Sequence, residues 1–223
     1  MILRKKIQLS IITFIGLIFL ISLLLVLPLR WLNPITTAFV LRDDLVTSKQ
    51  INKHWSTIDN IAPSLAMSVI ASEDQKFPYH YGFDIEALKK ALTENRARRR
   101  GGSTITQQLA KNIYLSSSRS LLRKGTEAYL AVLIESFLPK KRIMEIYLNV
   151  VEFGPGIYGV TQASQAFFNK VPEKLTQWES ALLASVLPNP KQLSAQAPSN
   201  YVRQRARDIQ QQVRALGGVG YFP

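Results

Sequence analysis

Residues 63–84 read PSLAMSVIASEDQKFPYHYGFD, an apolar stretch that ends in two adjacent acids. The proline suits the first turn of a helix, and Leu65, Val69 and Ile70 recur at helical spacing. The pattern therefore predicts a buried helix that ends at or just before Glu73. A carboxylate in that place is partly desolvated, which raises its pKa above the usual value of about 4.3, toward the range of a general base.

The same acids have a simpler interpretation, because carboxylates at helix ends are common on protein surfaces. Glu73 and Asp74 would then be solvated, while Phe77 and Tyr79 would only pack. Taken alone, this stretch does not decide between the two.

Helical periodicity continues through the rest of the chain, and alternating runs of β-branched residues are missing. Ser103 suits the N-cap of its helix, and Gly154, Pro155 and Gly156 should end another. We therefore predict an all-α domain without an internal repeat. The helix-like stretches after the first are 83–100, 103–115, 121–138, 140–153, 161–168, 176–187 and 199–216.

The N-terminal part contains 23 uncharged residues, 7–29, between Lys6 and Arg30. At about 1.5 Å per residue, a helix of this length crosses a bilayer core about 30 Å thick. A buried core helix is one alternative, and a cleaved signal peptide is the other, but the latter would have a shorter apolar region followed by small residues. The basic residues 4–6 predict a cytoplasmic N-terminus, with the remainder on the outer side.

The composition narrows the classes of partner. The 28 Lys and Arg against 15 Asp and Glu give a formal charge of +13, which would attract nucleic acid, anionic lipid or a phosphorylated substrate. The chain contains no cysteine, so disulfides, thiolate metal sites and a thiol nucleophile are excluded. The two histidines, His54 and His80, lie far apart in sequence and do not suggest a metal site.

Two further stretches are rich in polar and basic groups. Residues 101–112, GGSTITQQLAKN, place Gln107 and Lys111 on one helix face, which would suit a polar cleft or the exposed side of a capped surface helix. In residues 119–127, Arg123 lies four positions before Glu127, as in a surface ion pair or in a cationic clamp for phosphate. The arginines at 96 and 98–100 suit a solvated or lipid-facing surface.

Five ordered stretches in this sequence resemble the motifs of the peptidoglycan glycosyltransferase domain, which also forms the N-terminal half of bifunctional penicillin-binding proteins. With 223 residues there is no room for a transpeptidase domain, so we expect a monofunctional member, and residues 198–218 are similar to the tail of its Gram-negative form. The motifs are EDQKFPYHYGFD (73–84), GGSTITQQLAKN (101–112), RKGTEAYLAVLIE (123–135), KKRIMEIYLNVVEFGPGIYGV (140–160) and ALLASVLPNP (181–190).

The resemblance implies a lysozyme-like helical domain that polymerises lipid II into glycan strands, inverts the anomeric carbon and releases polyprenyl diphosphate. Glu73 matches the general base that deprotonates the acceptor 4-hydroxyl, and Glu127 matches the second catalytic carboxylate. The other matching positions line the substrate cleft or surround the pyrophosphate: Asp74, Phe77, His80, Ser103, Gln107, Gln108, Lys111, Asn112, Arg119, Arg123 and Lys124.

The resemblance also sets expectations for organisation and partners. Residues 1–30 would be a cytoplasmic tip and membrane anchor, 31–60 a connector and the start of the domain, and 61–223 the glycosyltransferase domain. That domain would lie in the periplasm, held at the inner membrane by a single span. No cofactor is required, although a divalent cation, Mg or Mn, could accompany the pyrophosphate. The expected partners are lipid II, the growing glycan, membrane lipids and proteins of cell-wall synthesis or division, but not nucleic acid.

Two alternatives remain from the residues themselves. A lysozyme-like hydrolase or lytic transglycosylase shares a helical fold and a catalytic Glu, but it has no use for a phosphate clamp near Glu127. A membrane-tethered scaffold for nucleic acid or anionic lipid would explain the charge, but not the polar helix beside two buried acids.

Overall fold

The computed structural model describes residues 2–46, 50–86, 103–116, 118 and 120–222. Within them, two short strands, β1 Glu152–Gly154 and β2 Ile157–Tyr158, form an antiparallel hairpin, and the other regular elements are helical. The all-α prediction is confirmed apart from this hairpin. The α-helices are α1 Ile2–Val26, α2 Ala38–Arg42, α3 Pro63–Glu73, α4 Ile105–Tyr114, α5 Leu121–Phe137, α6 Lys140–Val150, α7 Val160–Phe168, α8 Gln177–Val186 and α9 Asn200–Ala215. Single 3-10 turns lie at Leu27–Arg30, Asn52–His54, Ile58–Asn60, Pro172–Lys174 and Gly218–Tyr221.

Helix α6 forms the centre of the domain. Every residue from Ile143 to Val150 is buried, so the helix is covered on all sides. Helix α4 packs against α5 and α6, while α3, α8 and α9 pack against one another. Tyr147 of α6 is fully buried and is the largest such side chain in the described core.

The polar residues of α6 fasten the connector to this core. The Glu145 carboxylate accepts hydrogen bonds from Trp55 Nε1 at 3.1 Å and from the Ile58 amide at 3.0 Å. The Asn149 side chain donates to the Ser56 carbonyl at 2.8 Å. Because these buried groups are paired, the segment that leads into α3 has a fixed place on the domain.

Helix α1 is apolar and largely exposed along its length, and residues Arg4–Arg30 are long and apolar enough to cross a membrane. Its last turn is different, because Val26 is fully buried against the domain. The Tyr114 hydroxyl donates to the Leu25 carbonyl at 2.7 Å, and Arg30 Nη1 donates to the Phe137 carbonyl at 2.6 Å. The apolar helix is therefore docked on α4 and α5 at its C-terminal end.

The β hairpin replaces the last residues of a predicted helix. The pattern of 140–153 indicated a helix as far as the glycines, but α6 ends at Val150, and the prediction beyond that residue is wrong. At Gly159 the backbone has φ +81°, and a Cβ there would lie 2.6 Å from the Asn149 carbonyl oxygen. Only glycine permits this close return of the chain, which closes the hairpin against α6.

The C-terminus of α3 and the N-terminus of α4 carry residues of the candidate site. Helix α3 ends at Glu73, as predicted. The N-cap of α4 is Thr104 and not Ser103, which corrects the sequence prediction. Thr104 Oγ1 accepts the Gln107 amide at 3.2 Å, and Gln107 Oε1 accepts the Thr104 amide at 3.0 Å, so the two residues form a capping box. The helix predicted over 83–100 falls mostly outside the described residues.

Candidate active site

Glu73 lies where α3 ends, and its two carboxylate oxygens face different helices. Oε2 accepts a hydrogen bond from Gln108 Nε2 of α4 at 3.0 Å, and Oε1 lies 3.5 Å from Arg205 Nη2 of α9. The side chain is 14% exposed, so the carboxylate is desolvated without being sealed from solvent. This burial raises the pKa of Glu73, and the contacts from Gln108 and Arg205 oppose the rise.

The amide of Gln108 has a fixed orientation. The hydroxyl of Tyr147 donates to Gln108 Oε1 at 2.9 Å, which leaves Nε2 to face Glu73. Tyr147 is fully buried in α6, and burial raises the pKa of its phenol well above the ordinary value. The hydroxyl therefore stays protonated and acts as a donor.

Asp74 joins the loop after α3 to the start of α4. Its carboxylate lies 2.9 Å from His80 Nε2 and accepts the Ile105 amide at 3.0 Å. Ile105 is the first residue of α4, where a carboxylate also interacts favourably with the helix dipole. The loop closes on α4 a second time, because Thr104 Oγ1 donates to the Gly82 carbonyl at 2.7 Å.

Phe77 supports this loop from the core. The ring is fully buried, lies edge-on to His80 with centroids 6.2 Å apart, and has the Lys140 ammonium 4.4 Å from its centroid. Phe77 therefore holds the loop in place. Its predicted role in lining the substrate cleft stays a prediction.

Glu127 is the centre of a second cluster, on α5. The carboxylate, 3% exposed, accepts from Arg123 Nη1 at 2.6 Å and from Lys124 Nζ at 2.5 Å. Lys124 Nζ also donates to Ser103 Oγ at 2.8 Å. One buried anion thus holds two cations through charge-assisted hydrogen bonds.

Lys111 is on α4, and its ammonium lies 5.5 Å from the centre of the Phe39 ring. Burial lowers the pKa of its ammonium, the Glu127 and Glu73 carboxylates raise it, and the nearby Arg123 and Lys124 lower it again. The Lys111 ammonium is therefore partly desolvated, and the charges of both Glu73 and Glu127 act on it.

The remaining predicted residues have different places. Asn112 is buried in α4. The Gln107 side chain forms the capping box at the start of α4. Of the two glutamines, Gln108 is the one that contacts Glu73. Arg119 lies outside the described residues. The contacts therefore form two groups of predicted site residues: Glu73 with Gln108, and Glu127 with Ser103, Arg123 and Lys124. Asp74, the neighbour of Glu73 in the chain, pairs with His80.

The sequence analysis assigned no role to Arg205. It did contain a signal, because Val202, Ala206 and Ile209 form the buried stripe of α9 and Arg205 falls on that face. A charged residue on the buried face of an amphipathic helix calls for a partner. Which partner it has depends on how α9 packs against α3, and sequence spacing does not give that.

The described residues contain no group of three or more His, Asp or Glu that could hold a metal ion.

Comparison with known proteins decides the family. The model of the transglycosylase family matches residues 42–214, which is most of the chain. The chain belongs to the transglycosylase family. It is similar to the biosynthetic peptidoglycan transglycosylase of Xanthomonas campestris pv. campestris (strain B100), with 48% identity over 209 residues that cover 90% of this chain and 85% of that protein.

Two other relatives carry the same name. The biosynthetic peptidoglycan transglycosylases of Citrobacter koseri (strain ATCC BAA-895 / CDC 4225-83 / SGSC4696) and Klebsiella oxytoca are each 52% identical over 171 residues, covering 75% of this transglycosylase chain and 71% of theirs. Both Glu73 and the Glu127 cluster lie inside the span matched by the family model.

Proposed function

We propose that this transglycosylase family member is a peptidoglycan glycosyltransferase that polymerises lipid II at a membrane surface. The observation that carries the proposal is the contrast between two desolvated carboxylates, the partly buried Glu73 and the buried Glu127. Glu73 is held by a neutral amide and a distant guanidinium, whereas Glu127 is saturated by two cations. Two environments this different suit two different tasks.

Glu73 is suited to act as general base. In the proposed step it accepts the proton of the acceptor sugar's 4-hydroxyl as that oxygen attacks the anomeric carbon of the donor. Its raised pKa makes proton acceptance more favourable than it would be for a solvated carboxylate. Gln108 forms a short hydrogen bond to Glu73 Oε2, whereas Glu73 Oε1 has the longer contact with Arg205. Glu73 Oε1 would therefore be the oxygen that faces the substrate.

The Glu127 cluster is suited to the leaving group. As the new bond forms between the acceptor oxygen and the anomeric carbon, the bond from that carbon to the lipid pyrophosphate breaks, and the electron pair stays on the phosphate oxygen. Arg123, Lys124 and Lys111 would stabilise the developing charge, so no protonating acid is needed. Glu127 holds the first two in position.

A single displacement inverts the anomeric configuration, whereas retention would need a carboxylate nucleophile at the sugar. Mg or Mn, if present, would bind to the pyrophosphate as part of the substrate. A glycan hydrolase is less well supported, because it has no leaving phosphate to occupy the two cations paired with Glu127.

The apolar helix α1 supports an anchored enzyme in the inner membrane with its domain on the periplasmic side. In such an enzyme, the docked end of α1 would fix the height of the domain above the bilayer. Arg142 reinforces the joint, because its guanidinium donates to the Leu29 carbonyl at 2.8 Å and to the Leu32 carbonyl at 2.9 Å. A substrate held by a polyprenyl tail would then meet the site at a constant depth.

The start of α5 offers a second contact with lipid. Leu121 and Leu122 are 94% and 84% exposed and lie directly before the cations Arg123 and Lys124. Helix α5 packs beside α1, with its last residue, Phe137, at Arg30. Exposed apolar residues followed directly by cations are typical of a membrane-surface contact, so we expect the leucines to enter the acyl layer and the cations to stay at the depth of the lipid phosphates.

The experiment that tests this function is incubation of the detergent-solubilised protein with labelled lipid II. Polymer that lysozyme digests, formed by the wild type and not by Glu73→Gln, would establish the reaction and the base. Cleavage of preformed glycan without polymer formation would instead indicate a hydrolase. Binding of lipid II without turnover would indicate a scaffold.

A further inference from the structure

Arg205 is the cation that forms an ion pair with Glu73, and it comes from a part of the chain far from the other site residues. Nη2 lies 3.5 Å from Glu73 Oε1, at the limit of a hydrogen bond. The Arg123 and Lys124 side chains instead pair with Glu127. Within the part of the chain that the structure describes, Glu73 and Glu127 therefore pair with different cations, and the cation paired with Glu73 is on α9.

The packing of α9 determines this position. Val202, Ala206 and Ile209 are buried where α9 lies against α3 and α8. Because Arg205 falls on the same face, its guanidinium is directed to the end of α3, where Glu73 lies. The Arg205 side chain is 29% exposed, so its charge is only partly screened by solvent.

The Arg205 guanidinium has a buried donor, Nε, without a hydrogen-bond partner among the described residues, as the Arg123 guanidinium also does. A buried donor without a partner lowers stability, and such groups call for an explanation. A role at the reacting centre explains why this side chain is kept there.

The charged and titratable groups around Glu73 define what Arg205 can do. Asp74 precedes the loop and repels the Glu73 carboxylate, while the phenol of Tyr147 contributes no charge. Lys111 is attracted to Glu73, but it is also coupled to Glu127. Among the described residues, Arg205 is thus the cation that forms an ion pair with Glu73, whose ionised form is disfavoured by burial and by Asp74.

We propose that Arg205 is a positioning residue that keeps Glu73 ionised and directs its Oε1 to the acceptor hydroxyl. This inference rests on the proposed role of Glu73 as base. The contact of 3.5 Å suits the role, because a short bidentate pair would occupy the lone pairs that must receive the proton.

The test is the pH dependence of lipid II polymerisation by the full-length protein in detergent, for the wild type, Arg205→Gln and Arg205→Lys. Without the guanidinium, the pKa of Glu73 should rise and the acidic limb of kcat/KM should move to higher pH. For Arg205→Gln we expect kcat/KM on the acidic limb to fall by up to about tenfold, which corresponds to a shift of about one unit in the pKa of Glu73. At alkaline pH, kcat/KM should recover partly or fully. Arg205→Lys should give an intermediate shift, because it restores the charge at a different position.

The matched control is Arg207→Gln on the same helix, since Arg207 is exposed and pairs with Gln204. Its pH profile should overlay that of the wild type. An equal loss for Arg205→Gln at every pH, or no loss, would overturn the proposal, and melting curves would show whether an equal loss reflects unfolding. If Glu73→Gln is as active as the wild type, the proposed base is wrong and the proposal for Arg205 fails with it, whereas an inactive Glu73→Gln with an unshifted Arg205→Gln would reject Arg205 alone.

Discussion

Glu127 and Lys124 lie one helical turn apart on α5, and the Lys124 ammonium is 2.5 Å from the Glu127 carboxylate. The same carboxylate holds Arg123 at 2.6 Å on its other oxygen. An exposed pair at this spacing would contribute little to stability, but this carboxylate is buried. The positions of the Arg123 and Lys124 side chains therefore both depend on the Glu127 carboxylate.

Glu127→Gln should therefore impair turnover more than folding. The amide keeps the size of the side chain but holds the two cations less firmly, so we expect kcat to fall by about 100-fold, in the range of lost electrostatic stabilisation at other sites. Lipid II turnover and thermal melting would be measured together.

The matched control is Glu135→Gln. Glu135 is also buried on α5 and paired with a lysine, Lys140, at 2.7 Å, but it does not contact Arg123 or Lys124. The Glu135→Gln variant should lose about as much stability as Glu127→Gln, but it should keep most of the wild-type turnover rate. If Glu127→Gln melts far below Glu135→Gln and loses helix content, its role is structural.

Tyr147→Phe isolates the hydrogen bond that orients Gln108. The ring still fills its buried place, but Gln108 Oε1 loses its donor, and the amide can rotate and turn the wrong atom toward Glu73. We expect a loss of about 1–2 kcal/mol in the free energy of unfolding and a roughly tenfold lower kcat.

Tyr114→Phe serves as the control for Tyr147→Phe, because its hydroxyl bonds to the Leu25 carbonyl away from Glu73. It should lose stability without the same loss of kcat. Equal kcat losses in both variants would show that the hydroxyl of Tyr147 has no specific effect on the base.

Features of the fold and site that involve residues close in sequence could be predicted, whereas contacts between residues far apart in sequence could not. The end of α3 at Glu73 and the four-residue spacing of Arg123 and Glu127 are local features, and periodicity predicted both. The contact of Glu73 with Arg205 joins residues 132 positions apart and depends on how two helices pack. The choice of Thr104 over Ser103 as N-cap was missed because both have a hydroxyl, and only the reciprocal bonds with Gln107 distinguish them.

The raised pKa of Glu73 predicts an effect on stability as well as on rate. A carboxyl group whose pKa is higher in the folded state than in the unfolded state binds protons more tightly when folded. Folding is therefore penalised above the folded pKa, and the penalty is relieved as the pH falls through that pKa toward the unfolded value, about 4.3.

Glu73→Gln removes this penalty and should melt at or above the temperature of the wild type near pH 7. The difference between the two should shrink as the pH is lowered toward about 4. Melting curves across this pH range would check it. A variant that melts well below the wild type at pH 7, by a margin that does not depend on pH, would show that the Glu73 carboxylate stabilises the fold.

The position of Leu122 in the bilayer can be measured directly, because the chain has no cysteine and a single introduced one is unique. Leu122→Cys carrying an environment-sensitive fluorophore, in full-length protein reconstituted in vesicles with anionic lipid, should show blue-shifted emission. Spin-labelled lipids should quench it, and aqueous iodide should not, because the leucine would lie in the acyl layer.

Val171→Cys is the matched control, since Val171 is a half-exposed apolar residue distant in sequence from α1 and α5. Its fluorophore should be quenched by iodide and not by the spin-labelled lipids. If the label at position 122 behaves like the label at position 171, the start of α5 lies in water. If position 122 is protected from both quenchers, protein and not lipid covers the leucines, and the proposed membrane contact of α5 is wrong.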